Sequence, residues 1–171
     1  DYVVLETGLG GRLDATNAVR SLVCAITPIS YEHTQYLGNS LAKIAEEKAG
    51  IIKGDTLLVI SAPQEKEARQ VIRRRAKDQK TKLFEVGKDI LFERISSRQR
   101  EIFNVFAQTS EYFHLEINLF GLHQVINAVT AVGVIESLKN FETFVSKDSI
   151  KRGLLNAAWP GRFEIVSDNA L

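Results

Sequence analysis

The sequence predicts a three-layer α/β fold, with a mostly parallel sheet and a small antiparallel β insertion. Three observations carry this. Short apolar runs rich in β-branched residues (YVVLET at 2–7, LVCAITPIS at 22–30, TLLVIS at 56–61) alternate with segments of helical periodicity, as strands buried on both faces of a parallel sheet do. Residues 82–120 then change character: KLFEVG, DILFERIS, EIFNVFAQ and FHLEINLF are short, partly alternating and rich in Phe and Ile, which predicts an antiparallel hairpin series. Finally, LHQVINAVTAVGVIESL at 122–138 returns to a strong 3.6-residue period.

The helices follow in order. Over 40–50, Ser40 or Asn39 can cap a helix whose apolar residues are Leu41, Ile44, Ala45, Ile51 and Ile52. Over 63–80, Ala68, Val71, Ile72 and Ala76 make a thin apolar face. The cluster Arg73, Arg74, Arg75 on that helix stands among Glu65, Glu67 and Asp78, which reads as a solvated face rather than a nucleic-acid surface. In the last helix the stripe runs through Leu122, Val125, Ile126, Val129, Val132 and Ile135, with Gly133 allowing close packing.

The chain has 171 residues, 44% hydrophobic and 25% charged, with a net charge of +1. This is an ordinary globular composition, and the balance of charge implies neither a nucleic-acid nor a membrane partner. The one cysteine, Cys24, sits in the apolar run SLVCAI and reads as a core residue, so a reducing, cytoplasmic compartment is expected. No run approaches the roughly 18 apolar residues that a transmembrane helix needs. The sequence has no methionine, opens on an apolar run and stops at SDNAL, so a piece of a longer protein is expected.

Chemistry concentrates after the predicted strands. ETGLGGRLDATN at 6–17 has glycines at 8, 10 and 11, which let backbone approach a ligand or simply make a tight turn. It is not a dinucleotide fingerprint, since Leu13 stands where the last glycine belongs. Glu6 is expected at a strand's carboxyl end, where open α/β sheets bind ligands and where one or two carboxylates hold magnesium near phosphates. His33, in SYEHTQYLG at 30–38, is expected at a second such end. Lys48, four residues after Ile44 and three after Ala45, falls on the apolar stripe of its helix. On position alone, a stem lying along that face with its head in water accounts for it; a buried, reactive amine is the alternative. His114 and His123 have no nameable partner. Gln124 and Asn127 share one side of the last helix near its start, and Arg162 stands on the Pro-Gly turn of WPGRFE, where an arginine suits phosphate.

Taken in order and spacing, ETGLGGRLDATN, ISYEHTQYLGNSLAKIAEEKAGIIKG, LFGLHQVINAVTAV and WPGRFE resemble the folylpolyglutamate synthase/dihydrofolate synthase branch of the Mur ligase family. The most specific part is the run from Glu32-His33 to Lys53; residues 62–118 are the least diagnostic. The resemblance implies a P-loop-type central ATPase domain over 1–162, with 163–171 beginning a linker to a C-terminal domain. It places the P-loop upstream of Asp1, so the chain alone would not catalyse. The implied activity is ATP-dependent ligation of L-glutamate to a folate or dihydropteroate carboxylate by a monomeric parent, with Mg2+ and with no nucleic acid or membrane involved.

Residue by residue, the resemblance assigns magnesium to Glu6 and His33, and the pterin-bearing substrate to Leu13, Asp14 and Ala15. It assigns adenine to Asn127, the ATP phosphates to Arg162, and carbamylation to Lys48. Before His33 the chain reads Tyr-Glu where many members have Leu-Asp, with the charge kept by Glu32. A muramyl-peptide ligase of the same family, a nucleotide-binding module without ligase activity, and an RNA-binding domain using the arginine cluster are the competing readings.

Overall fold

The computed structural model describes residues 2–95 and 100–161, which fall into two compact units, 1–86 and 87–171. In the first, β1 (Val23–Ile26), β2 (Leu58–Ser61) and β3 (Lys82–Glu85) form a parallel sheet in that order. Val23 pairs with Leu58, and Leu58 with Lys82. All four residues of the central strand β2 are buried, so both of its faces are covered, as its unbroken apolar run requires.

Three helices belong to this unit: α1 (Thr34–Leu37), α2 (Leu41–Ala49) and α3 (Lys66–Asp78). Ile44, Ala45 and Ala49 of α2 share one core with Ala68, Val71 and Ile72 of α3 and with Cys24, Ile26 and Val59 of the sheet. Each large aliphatic side chain buried there stabilises the fold by about 1.5–3 kcal/mol. Of the two candidate caps of α2, Ser40 is the one used: its side chain accepts from the Lys43 amide at 3.3 Å. Ser40→Ala is expected to cost about 1 kcal/mol, read as a lower urea midpoint at an unchanged slope.

The arginine cluster of α3 is engaged. Arg73 donates to Glu85 and Arg74 to Glu46, while Arg75 Nε donates to the Ile52 carbonyl at 3.0 Å. The three guanidiniums tie α3 to its neighbours, which disfavours the RNA-binding reading.

Three sequence expectations change here. Residues 2–7 are not a strand: the segment is irregular, with Val4 95% exposed. A strand exists only through hydrogen bonds to a neighbour, and no strand among the described residues pairs with this one, so Glu6 does not end a strand. KLFEVG is not part of the hairpin series but supplies β3, because local alternation does not say which strand is the partner. The run 22–30 is strand only to Ile26, since Pro28 has no amide to offer a ladder; beyond it the Ile29 amide donates to Gln64 Oε1 at 2.9 Å.

The second unit holds the antiparallel sheet β4 (Leu91–Ile95), β5 (Glu101–Phe106) and β6 (Glu111–Ile117), and the helices α4 (Leu122–Ser137) and α5 (Lys147–Leu155). Glu101, Phe103 and Val105 alternate inward along β5. Its register with β6 slips between Phe103 and Val105, a bulge that lets Tyr112 and Leu115, three residues apart, both be buried. His114 sits in the bulge with φ +54°, its amide donating to Asn104 Oδ1 at 2.9 Å. That accounts for His114 as a structural residue.

On α4, Val125, Val129 and Val132 are buried as expected, but so are Ala128, Gly133 and Glu136, whereas Leu122 is exposed. The buried stripe thus turns toward Glu136. That carboxylate accepts from the Thr109 hydroxyl at 2.9 Å and from the Tyr112 hydroxyl, and pairs with Lys139 at 2.6 Å. At the other end of the helix, buried Glu101 accepts two bonds from Arg94, each 2.7 Å, and one from the Gly121 amide at 2.9 Å. No helix among the described residues is long and apolar enough to cross a membrane.

A candidate substrate loop seated on the lysine helix

The loop after Gly8 is organised by Asp14. Its Oδ2 accepts from the Gly8 and Leu9 amides, both at 3.0 Å, and its Oδ1 from the Thr16 amide at 3.0 Å and the Thr16 hydroxyl at 2.6 Å. These donors, the Thr16 hydroxyl foremost, hold the Asp14 pKa down to about 2. A depressed carboxylate contributes stability that is whole above its unfolded value and is lost as pH falls through the folded one, so the Asp14 contribution to the loop declines as pH falls toward about 2. Because both oxygens serve the loop, what the loop presents outward is Leu13, 80% exposed, and Ala15, also exposed.

This loop rests on the carboxyl end of α2. The Arg12 amide donates to the Glu47 carbonyl at 2.8 Å, and its guanidinium pairs with the Glu47 carboxylate at 3.0 Å. Asn17 Nδ2 donates to the carbonyls of Arg12 and Gly50 at 3.0 and 3.3 Å. One residue beyond Glu47, Lys48 lies in the last turn of α2, where its charge suits the helix dipole. Its side chain is 26% exposed, and its ammonium meets Glu32 Oε1 at 2.8 Å. Lys48 therefore leaves the apolar stripe for an ion pair. The nine-residue helix ends there, and the side chain reaches the 30–38 loop instead of the core.

His33, beside Glu32, is the N-cap of α1 in the left-handed region at φ +48°, and its side chain makes no cap hydrogen bond. A non-glycine residue held there stores about 1–3 kcal/mol of strain, a feature that clusters at functional sites. Glu6 is exposed. Neither the Glu6 carboxylate nor the His33 imidazole has a partner among the described residues, and those residues gather no group of three metal-ligating side chains.

In the second unit, Asn127 is exposed on α4 and donates to Gln124 Oε1 at 3.3 Å. Arg162 lies outside the described residues. The first unit thus brings Leu13, Asp14 and Ala15 onto the helix that bears Lys48.

A family model described as the Mur ligase middle domain matches residues 1–135. The chain belongs to the Mur ligase family. Over 99% of its length it is 37% identical to the dihydrofolate synthase/folylpolyglutamate synthase of Bacillus subtilis, of which it covers 40%. It superposes on a point mutant of the folylpolyglutamate synthase of L. casei with a TM-score of 0.90 at 26% identity, over 96% of this chain and 40% of that one. A structure described as a folylpolyglutamate synthase complex with AMPPCP and folate gives 0.89 at the same identity and coverage. This Mur ligase chain spans about 40% of the length of these relatives.

Sequence reasoning on single residues missed Arg12, Asn17, Glu47, Gly50 and Lys53. The signal was their place inside the two most specific motifs, GLGGRLDATN and EKAGIIK, which the structure shows to be two halves of one contact.

Proposed function

We propose that this chain is the central part of an ATP-dependent amide ligase that adds L-glutamate to a folate or dihydropteroate carboxylate. The observation that carries this reading is the seating of the Leu13–Ala15 loop on the helix bearing Lys48. Arg12 and Asn17 fasten the loop to the end of the helix where Lys48 stands, and that supports reading Leu13 and Ala15 as the surface for the pterin-bearing acid. The activities for which the chain's relatives are named support the proposal.

The substrate carboxylate attacks the γ-phosphorus of ATP, ADP leaves, and an acyl phosphate results. The glutamate amine then displaces phosphate to form the amide. Charge on the transferring oxygens must be neutralised. Arg162 meets the phosphates, Asn127 the adenine edge, and Leu13 and Ala15 the pterin-bearing acid, while Asp14 holds their loop in shape. The family resemblance assigns Mg2+ to Glu6 and His33: the Glu6 carboxylate is the oxygen ligand this ion prefers, water and phosphate oxygens would complete its shell, and the ion would supply positive charge to those phosphates. Addition of CO2 to the Lys48 amine with loss of a proton gives a carbamate anion, which would orient the metal or the acyl phosphate. A carbamate would reverse the charge facing Glu32, so the 2.8 Å pair belongs to the unmodified amine. In the parent, a monomer of the cytoplasm, residues 1–162 belong to the central domain; the linker expected over 163–171 lies outside the described residues.

The deciding assay supplies the complete protein with ATP, L-glutamate and either dihydropteroate or tetrahydrofolate. Glutamate-dependent ADP release with one of the acids is expected; none with either overturns the reading. In the same assay, His33→Ala should raise the Mg2+ requirement at least about tenfold, the lower end of what losing even a ligand's supporting partner costs. An unchanged Mg2+ dependence removes His33 from the metal.

A further inference from the structure

We propose that Arg12, Gly50 and Lys53 are positioning residues: they latch the substrate loop to α2, so that the loop and Lys48 keep one fixed separation. The inference rests on the reading above for what the loop binds, but the latch itself stands on contacts within the first unit.

Two independent fastenings hold the loop. At its near end, Arg12 binds Glu47 twice, through its amide at 2.8 Å and its guanidinium at 3.0 Å. At its far end, Lys53 Nζ donates to the Asn17 carbonyl at 2.8 Å and to the Val19 carbonyl. Between them the two backbones touch. A Cβ on Gly50 would lie 2.3 Å from the Arg12 Cβ and 2.7 Å from its Cα, and one on Gly11 would lie 2.9 Å from the Glu47 carbonyl oxygen and 3.0 Å from that of Lys48.

Gly50 has φ −58° and ψ −17°, a conformation open to any residue. The missing side chain is therefore explained by the approach of Arg12 and not by backbone strain. An exposed ion pair such as Arg12–Glu47 adds little to global stability. Its consequence is local: it sets where Leu13 and Ala15 stand relative to Lys48, one residue beyond Glu47. A displacement of about 1 Å in a group that positions substrate is enough to lose about 10²-fold in rate.

The test compares Gly50→Ala, Arg12→Ala, Arg12→Lys and Lys53→Met in the complete protein, by amide hydrogen exchange and steady-state kinetics. Faster exchange confined to residues 8–17 is expected in Gly50→Ala, Arg12→Ala and Lys53→Met, with partial recovery in Arg12→Lys. The KM for the pterin-bearing acid should rise, and kcat/KM for it fall by about 10- to 100-fold, while the KM for ATP stays unchanged. Should Gly50→Ala fail to fold, the surface changes at Arg12 and Lys53 carry the test alone. Unchanged exchange over 8–17 overturns the latch, as does a parallel loss for both substrates with opening of β1 and β2. The exchange readout needs no turnover. Loosened loops in a protein that ligates nothing support the latch and sink the ligase, while unaltered loops in an active ligase sink the latch alone.

Discussion

Lys48→Ala in the complete protein is expected to abolish glutamate-dependent ADP release, with partial rescue by added short carboxylates. Misplacing a group that positions the reacting atoms costs about 10²-fold in rate, and a carbamate at Lys48 would be such a positioning group. An ion-pair role alone makes a different forecast. The Lys48–Glu32 contact is partly exposed on both sides, and such pairs contribute about 0–1 kcal/mol. Were that the whole role, Lys48→Ala and Glu32→Gln would have the same small effect on the urea midpoint and leave turnover near normal. Near-normal turnover in Lys48→Ala would therefore remove the carbamate from the mechanism. Rescue by acetate or formate distinguishes the missing anion from a missing ammonium, because neither can replace a positive charge.

The largest stability effect is expected at Glu136. Replacing it with alanine takes this acceptor from the buried Tyr112 hydroxyl and the carboxylate from Lys139, which is 27% exposed and keeps Ser110 Oγ at 2.6 Å; a buried polar group left unsatisfied costs about 1–3 kcal/mol. Glu136→Gln keeps an acceptor for Tyr112 and should cost less. Burial pushes the Glu136 carboxyl up, but the hydrogen bonds from Lys139, Tyr112 and Thr109 outweigh it, and the net direction is down.

The pH dependence follows from that direction. A carboxyl lowered on folding contributes stability above the ordinary carboxylate range and loses it as pH falls through the lower folded value. Tyr112 is pushed up, by burial first and by Glu136 next, so its contribution is whole below the ordinary phenol range and declines above it. Urea midpoints measured from pH 6 downward should therefore fall less steeply in Glu136→Gln than in the unaltered protein. Parallel curves would show that Glu136 is not the group titrating.

The α2, α3 and α4 helices were legible because each buries one face, and a one-sided face leaves a 3.6-residue trace. Ala68, Val71, Ile72 and Ala76 are buried as their spacing requires. The strands were legible as strands but not as partners. KLFEVG and EIFNVFAQ look alike, yet one joins a parallel sheet and the other an antiparallel one. The bulge at His114 was hidden for a related reason, since it exists only opposite Asn104 on the neighbouring strand. Glu136 was read past because a buried carboxylate is tolerable only when distant donors meet it, and Thr109 and Tyr112 are 27 and 24 residues away.

By itself, then, the sequence determined the α/β class, the helices α2, α3 and α4, the family and the two motifs that matter most, because all of these are local patterns of residue type; α1 and α5 were not read from it. Only the tertiary structure decided that the two motifs are one contact: Gly11 and Gly50 bring the loop and α2 to touching distance, and Arg12 and Lys53 fasten it. It also turned Lys48 from a lysine on an apolar stripe into half of an ion pair with Glu32. Both outcomes depend on residues more than a dozen positions apart along the chain, whose meeting is set by packing, and no periodicity within either segment encodes it.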